Sequence, residues 1–565
     1  MQSRSTPGPT DQTGPFLAGI VAAVFLLMCL MFETQYIAGL VGYEPRAIGN
    51  PMIGRLYEPW KSLEWMQRYD LRYSFMLGTR GGSGFYADPH EPAWLRTAFA
   101  AERSRLLWEG GAAFAVFLVL GCLWSRRQQT SDLHGGAQWA TPRDLRKSPL
   151  TKAQTGVVLG ESAAGKRLLV HNGTEAVLAI GPPGAGKTSG IAIPTLRRAW
   201  HESAIVFDPA AELTPATAAA RARFTHVVVF DPRSSNTARF NPLADIAPTN
   251  IDAITTILSS FMFDKDASEM NDASRFFLAS ALELGSSLIA RSLELGGTSF
   301  ADAVRLYYGG GWENDGEFFE SLKKSQIPYV AETASKFARM ESKVRSSIMG
   351  TLTQHLAIFR TDDVANATAS SDFSARTLRA QPMTLYLVVR EKDQRALSPL
   401  LRMVLTRLLD DLTEHKPTEN EHSVLLMLDE FPLLRAPIIQ EKLATARKYR
   451  LQPVLLAQTL TQIRDYYGRN ESVTGLCDVR VFFPSADRST QEMASETCGM
   501  ATRWTQTTNH DRKNGPTRSV HETARALLLP DELASMRNIV VWKKGGPPIR
   551  ALPVSAHRDK RFSMN

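Results

Sequence analysis

The sequence predicts an α/β protein: a largely parallel sheet covered by helices, with an all-helical insertion and two membrane helices ahead of the core. Three observations lead there. Short apolar runs recur at the spacing of an α/β core, the octapeptide GPPGAGKT (Gly181–Thr188) fits the phosphate-binding pattern G-x-x-x-x-G-K-[ST], and two long apolar stretches lie within the first 125 residues.

The first apolar stretch, Phe16–Phe32, is an uncharged run of about 17 residues, near the lower limit for crossing a bilayer; Gly14, Pro15 and Tyr36 extend it to about residues 14–36. A cleaved signal peptide fits less well, because Arg4 is the lone basic residue before the run and no small-x-small site follows it cleanly. The second stretch, Leu106–Trp124, carries Glu109 near its outer end, where a carboxylate can reach the headgroups. One span plus a buried helix is the remaining alternative. Arg126 and Arg127 follow directly, then Arg143, Arg146 and Lys147, so the positive-inside bias puts both termini and the large C-terminal part in the cytoplasm. The outer segment, about residues 37–105, holds Tyr57, Trp60, Trp65, Tyr69, Tyr73, Tyr86 and Trp94. A small packed domain or an interfacial aromatic belt accounts for them without a ligand.

At 565 residues the chain is too long for one core, and roughly two to four domains are expected. The formal charge of +8 admits nucleic acid or anionic lipid as a partner without requiring either. The four cysteines, Cys29, Cys122, Cys477 and Cys498, have no C-x-x-C spacing and suggest neither a zinc site nor a disulfide framework.

After a polar, basic linker near Ser125–Asp132 come the strand-like runs Ala176–Ile180, Ala204–Phe207, Val227–Phe230, Thr384–Val389, Val424–Leu428 and Pro453–Ala457. They are apolar on both faces and separated by helix-length stretches, which reads as a parallel sheet buried between helices. Val479–Phe483 is a weaker run whose Arg480 suggests a strand near the sheet edge or end. Between about residues 250 and 375 the strand pattern stops. Ser274–Leu288 and Ala334–Phe359 carry apolar residues at helical spacing, with Gly296-Gly297 and Gly309-Gly310-Gly311 as breaks. The expected organisation is a membrane anchor over 1–125, an α/β domain over 126–249 and 376–565, and a helical insertion over 250–375.

The glycine loop follows a buried strand and opens a helix, the setting its chemistry needs. Gly181, Gly184 and Gly186 leave room for backbone N–H groups to wrap phosphates, and the binding loop runs from Gly181 through Pro182, Pro183 and Ala185 to Ser189, its two prolines contributing no N–H. Lys187 supplies a point charge to the β and γ oxygens and Thr188 a hydroxyl to Mg²⁺. Leu425–Glu430 (LLMLDE) is an apolar strand ending in two carboxylates: Asp429 can hold Mg²⁺ and Glu430 can polarise the attacking water. Gln458, at the end of PVLLAQ, can sense the γ-phosphate, or it simply closes a strand. Arg447, in ARKYR, fits an arginine finger reaching a neighbouring subunit, whereas the residues alone favour a solvated basic helix end.

Together these segments resemble the coupling proteins of bacterial type IV secretion, the TraG/TraD-type family of membrane-anchored RecA-like ATPases. The resemblance runs through His134–Ala140 (HGGAQWA), the P-loop, Phe207–Leu213 (FDPAAEL), Phe230–Pro232 with Arg239–Leu243, Leu425–Pro432 (LLMLDEFP), Ala457–Gly468 and Leu527–Leu533. It implies a RecA-like P-loop ATPase core with an inserted all-α domain, preceded by two transmembrane helices. It also implies ATP and Mg²⁺ as cofactors, a homo-hexameric ring at the bacterial inner membrane, and partners that include single-stranded DNA with its relaxase or relaxosome, other type IV secretion components and protein effectors. Gln458 and Arg447 fall where the family has its glutamine and its trans-acting arginine. The sequence departs from the family at Ala210-Ala211, where Lys-Gly is common, and is expected to lack a long C-terminal recruitment tail. The expected function is an ATPase that brings DNA or protein substrates to the secretion channel. The rival reading is an effector receptor that never handles DNA. A membrane-tethered zinc protease is disfavoured by the missing H-E-x-x-H, and a chromosome-segregating translocase by the few spans and missing DNA-reading domain.

Overall fold

The computed structural model describes residues 13–40, 42–43, 49–69, 111–112, 115, 133–164, 166–197, 202–263, 271–310, 315–511 and 515–562. The chain divides into two compact units, residues 1–136 with 502–523, and residues 137–501 with 524–565.

The strands in chain order are β1 (Val157–Ser162), β2 (Leu168–His171), β3 (Val177–Ile180), β4 (Ser203–Asp208), β5 (His226–Phe230), β6 (Met383–Val388), β7 (Val424–Leu428), β8 (Leu451–Ala457), β9 (Val479–Phe482), β10 (Met500–Asp511), β11 (Gly515–Ala526), β12 (Ile539–Lys543) and β13 (Ile549–Leu552). In the larger unit eleven of them form one sheet, ordered β2-β1-β13-β12-β9-β3-β8-β7-β4-β6-β5. The seven strands from β9 to β5 are parallel, and they are the seven expected from the apolar runs. Alternate residues of each central strand feed opposite cores, as the two-residue side-chain period requires. Leu178, Ile205, Leu426 and Leu455 enter the core shared with the helical insertion. Val177, Val206, Met427 and Leu456 enter a second core with Ile191 and Leu196 of the segment after the glycine loop.

The expectation that Val479–Phe483 lies near the edge is corrected. Beyond β9 the sheet continues through four antiparallel strands, β12, β13, β1 and β2. Arg480 is accommodated inside because it donates to Cys477 O (3.3 Å), Thr474 O (2.8 Å) and Thr497 Oγ1 (3.0 Å), and its guanidinium lies over the Trp542 ring of β12 at 5.1 Å.

Between β5 and β6 every described regular element is helical. The expected 274–288 helix extends over Asp272–Glu294, capped by Asn271, whose side chain accepts from Ser274 N. It ends where Gly296 takes φ +91°, which closes the helix C-terminus. The stretch expected over 334–359 is broken into Pro328–Ala338, Ser342–Leu356 and a 3₁₀ turn, Ala357–Arg360. Among the described residues Asp272–Glu294 is the helix long and apolar enough to cross a membrane, but Leu284, Leu288 and Ile289 are buried in the protein core.

In the smaller unit the helix Thr13–Leu40 contains the first expected span; it is 28 residues, about 42 Å, long, and Leu26–Gly39 is the apolar part of it among the described residues. Val24, Leu27, Met28 and Phe32 stand exposed on it. Its C-terminal end packs on residues 49–69, where Thr34 Oγ1 donates to Pro59 O (2.8 Å) and Tyr57 meets Trp65 edge to face at 5.2 Å. Tyr57 and Trp65 are therefore packing residues. The second expected span lies outside the described residues apart from 111, 112 and 115, as do Tyr73, Tyr86, Trp94 and Cys122.

Candidate active site

Parallel register brings the chemistry to one edge of the sheet. Ile180 of β3 pairs with Ala457 of β8, Leu428 of β7 with Leu455 of β8, and Phe207 of β4 with Leu428. The glycine loop, Gln458, Asp429-Glu430 and Asp208 therefore all leave the carboxyl ends of adjacent strands, where open parallel sheets place ligands.

The loop's glycines are required by geometry. Gly184 (φ +73°) and Gly186 (φ +97°) occupy the left-handed region, and a Cβ on Gly181 would stand 2.4 Å from Phe483 Cβ. Gly181→Ala is expected to destabilise the domain by about 1–3 kcal/mol through overpacking; an unchanged thermal midpoint would count against this account. Past the loop, the first turn is π-helical over Thr188–Ala192, with Ile193 N–H reaching back to Thr188 O, before the helix Ile193–Arg197.

Thr188 Oγ1 donates to Asp429 Oδ2 at 2.8 Å, joining the two halves of the motif across 241 residues. Gln458 Nε2 donates to Glu430 Oε1 at 2.7 Å. Lys187, 5 % exposed, donates to its own loop at Gly181 O (2.6 Å) and Pro182 O (3.2 Å). Burial lowers the Lys187 pKa, and the nearby Asp429 and Glu430 oppose that shift. Burial raises Asp429 to about 6, against the Thr188 hydrogen bond. Glu430 holds φ +46°, a left-handed backbone that costs a non-glycine residue on the order of 1–3 kcal/mol and is characteristic of functional sites.

These groups line a cavity of about 600 Å³. Asp429 Oδ1 is buried without a hydrogen-bond partner beside the Thr188 hydroxyl, so the donor set here is oxygen and suits a hard cation such as Mg²⁺. Of the loop residues singled out from sequence, Pro183, Gly184, Gly186, Lys187, Thr188 and Ser189 line the cavity, whereas Gly181, Pro182 and Ala185 build the loop behind it. Arg447 sits exposed in the turn Ala446–Tyr449 and does not line the cavity.

Glu391, Gln394, Leu433 and His557 line the cavity and escaped the sequence reading, and Glu212 was read there only as part of the segment Phe207–Leu213. His557 arrives from the C-terminal segment, which Ala556 N ties to Ser189 O (3.1 Å) and Arg197 Nη1 ties at Phe562 O (3.1 Å). Gly190 permits this approach, since a Cβ there would lie 2.8 Å from Val554 O. Asp208 is a turn organiser: its carboxylate accepts from Glu212 N, Thr214 N and Thr214 Oγ1 at 2.7–2.9 Å. The departure at Ala211 leaves an alanine at φ +56°, a conformation glycine adopts without strain.

Residues 138–564 match the family described as "Type IV secretory system Conjugative DNA transfer". The chain is 26 % identical to the conjugal transfer protein TraG of Escherichia coli, over 92 % of this chain and 86 % of that protein. It is 25 % identical to the protein VirD4 of Rhizobium radiobacter, over 83 % and 70 % of the two chains. Its fold is similar to that of the plasmid coupling protein TrwB solved with the ATP analogue ADPNP, at TM-score 0.58 and 17 % identity over 77 % of this chain and 98 % of that one. TrwB solved with ADP and Mg²⁺ gives TM-score 0.54 at 17 % identity, over 75 % and 96 %. The core is thus a RecA-like P-loop fold with an all-α insertion, and the chain belongs to the type IV secretory system family of conjugative DNA transfer proteins.

Proposed function

We propose that this protein is a membrane-anchored coupling ATPase that brings single-stranded DNA, with its relaxase, to a type IV secretion channel and drives transfer by ATP hydrolysis. The observation that carries the reading is the Thr188–Asp429 hydrogen bond, with the Glu430–Gln458 pair opening into the same cavity. Lys187 leaves its loop carbonyls to meet the β and γ oxygens. Thr188 and Asp429 hold Mg²⁺, which neutralises phosphate charge when bound. Glu430 takes the proton of the attacking water, and Gln458 holds Glu430 in place while reading the γ-phosphate. Arg447, which does not line its own cavity, serves the nucleotide of the next subunit in a hexamer.

The helix Thr13–Leu40, with Val24, Leu27, Met28 and Phe32 exposed on it, supports anchoring in the bacterial inner membrane, with the stretch 106–124 as the second span and the ATPase on the cytoplasmic side. DNA as cargo is supported by the family's role in conjugative transfer and by the charge of +8.

ATP turnover by the purified full-length protein, with and without single-stranded DNA across a salt series, tests the reading. Stimulation that fades with added salt is expected of a motor gripping phosphates. Turnover indifferent to DNA in a verified hexamer would overturn the DNA assignment in favour of a receptor for protein effectors.

A further inference from the structure

A second cavity, of about 590 Å³, adjoins the nucleotide cavity and shares Gln394 and Leu433 with it. Its walls carry three guanidinium groups, Arg395, Arg402 and Arg435, together with Tyr466, and among the described residues no carboxylate lines it. An enclosure of cations without acids is a site for a polyanion. The three arginines differ in what they can do. Arg402 is buried and donates to Phe261 O (2.7 Å) and Ser260 O, so it fixes the back wall and adds charge. Arg395 is exposed near the start of the helix Gln394–Leu412 and has no ion pair among the described residues. Arg435 lies over the Tyr466 ring at 4.6 Å, a planar cation stacked on one face of the aromatic ring.

The cavity is also tied to the chemistry through its walls. The 3₁₀ turn Phe431–Leu434 runs from Glu430 to Arg435, and both end residues are held at positive φ, +46° and +47°. The helix Leu460–Tyr467 leads from just beyond Gln458 to Tyr466. Because Gln458 and Glu430 are hydrogen-bonded at 2.7 Å, the two segments start from one contact and end at another.

We infer that this cavity grips the sugar-phosphate backbone of single-stranded DNA, with Arg395 and Arg435 on phosphate and Tyr466 stacked on a base. Cations beside an aromatic face are what a sequence-independent single-strand site requires. The inference rests on the DNA reading of the preceding section and adds to it the residues that touch the strand. It also supplies a route from nucleotide to cargo: a change at Glu430 on hydrolysis moves the turn that carries Arg435.

The test uses full-length protein in detergent, a fluorescein-labelled oligothymidylate and fluorescence anisotropy from about 50 to 200 mM salt, with thermal melting to establish that each variant is folded. Arg395→Glu is expected to weaken binding about tenfold or more at low salt and to flatten the log–log salt slope by about 0.7 for each phosphate no longer neutralised. Tyr466→Ala is expected to weaken binding about fivefold or more with the slope unchanged, the signature of stacking removed without any change in charge. Folded Arg395→Glu protein that binds like the parent, with the parent's slope, overturns the site while leaving the DNA reading intact. A parent protein that hydrolyses ATP but does not bind the oligonucleotide overturns the DNA reading, and the site with it.

Discussion

Lys187→Ala should lower ATP turnover by at least about 10²–10³-fold, the loss that follows removal of one charged or dipolar group aimed at the transition state. The local cost is small by comparison. Lys187 Nζ donates to Gly181 O and Pro182 O of its own loop, so its removal forfeits two hydrogen bonds worth on the order of 1 kcal/mol each. The sheet does not depend on it: Leu178, Ile180 and Ala457 remain packed beneath the loop. Thermal melting should therefore change little while turnover collapses. Purified Lys187→Ala protein that retains parental turnover would remove this cavity as the site of hydrolysis.

That the loop could be found at all reflects how local its constraints are. Gly184 and Gly186 are demanded by backbone conformation, Lys187 and Thr188 by phosphate and metal chemistry, and all lie within eight residues. The seven parallel strands were legible for a similar reason: burial on both faces leaves runs such as Val424–Leu428 with no polar residue. The four antiparallel strands were not. In β13 burial alternates along Ile549–Leu552, with Arg550 facing outward over Trp139 at 4.4 Å, and four such residues cannot be told from a loop. Arg480 misled because a charge in a strand reads as exposure, whereas its neighbours supply three acceptors and an aromatic face.

His557 and Gln394 belong to no motif. They enter the cavity because the C-terminal segment folds back over Ser189 and because Gln394 Nε2 donates to Pro209 O at 2.7 Å. Nothing within a window of sequence announces a contact between residues several hundred positions apart. The pairings inside the motifs were equally invisible as geometry: sequence supplies Thr188, Asp429, Glu430 and Gln458 as residue types, and the sheet order β3-β8-β7 decides that they touch.

Glu430→Gln tests that geometry most directly. The amide retains the size of the carboxylate and an oxygen to accept from Gln458 Nε2, so the turn at φ +46° and the pair at 2.7 Å can persist. What disappears is the ability to take a proton, and general-base contributions are worth about 10²–10⁴-fold. Turnover should fall by that factor while the affinity for a non-hydrolysable ATP analogue stays within a few-fold of the parent. Asp429→Asn should behave differently. Asp429 Oδ1 is the buried oxygen without a partner, and Thr188 already engages Oδ2, so removing its charge should weaken Mg²⁺-dependent nucleotide binding itself. The split between the two variants, turnover abolished with binding kept against binding weakened first, separates a residue that acts on water from one that holds metal. Parental turnover in Glu430→Gln would mean that the proton goes elsewhere, and the hydrogen bond from Gln458 would then be a structural tie across the strand ends.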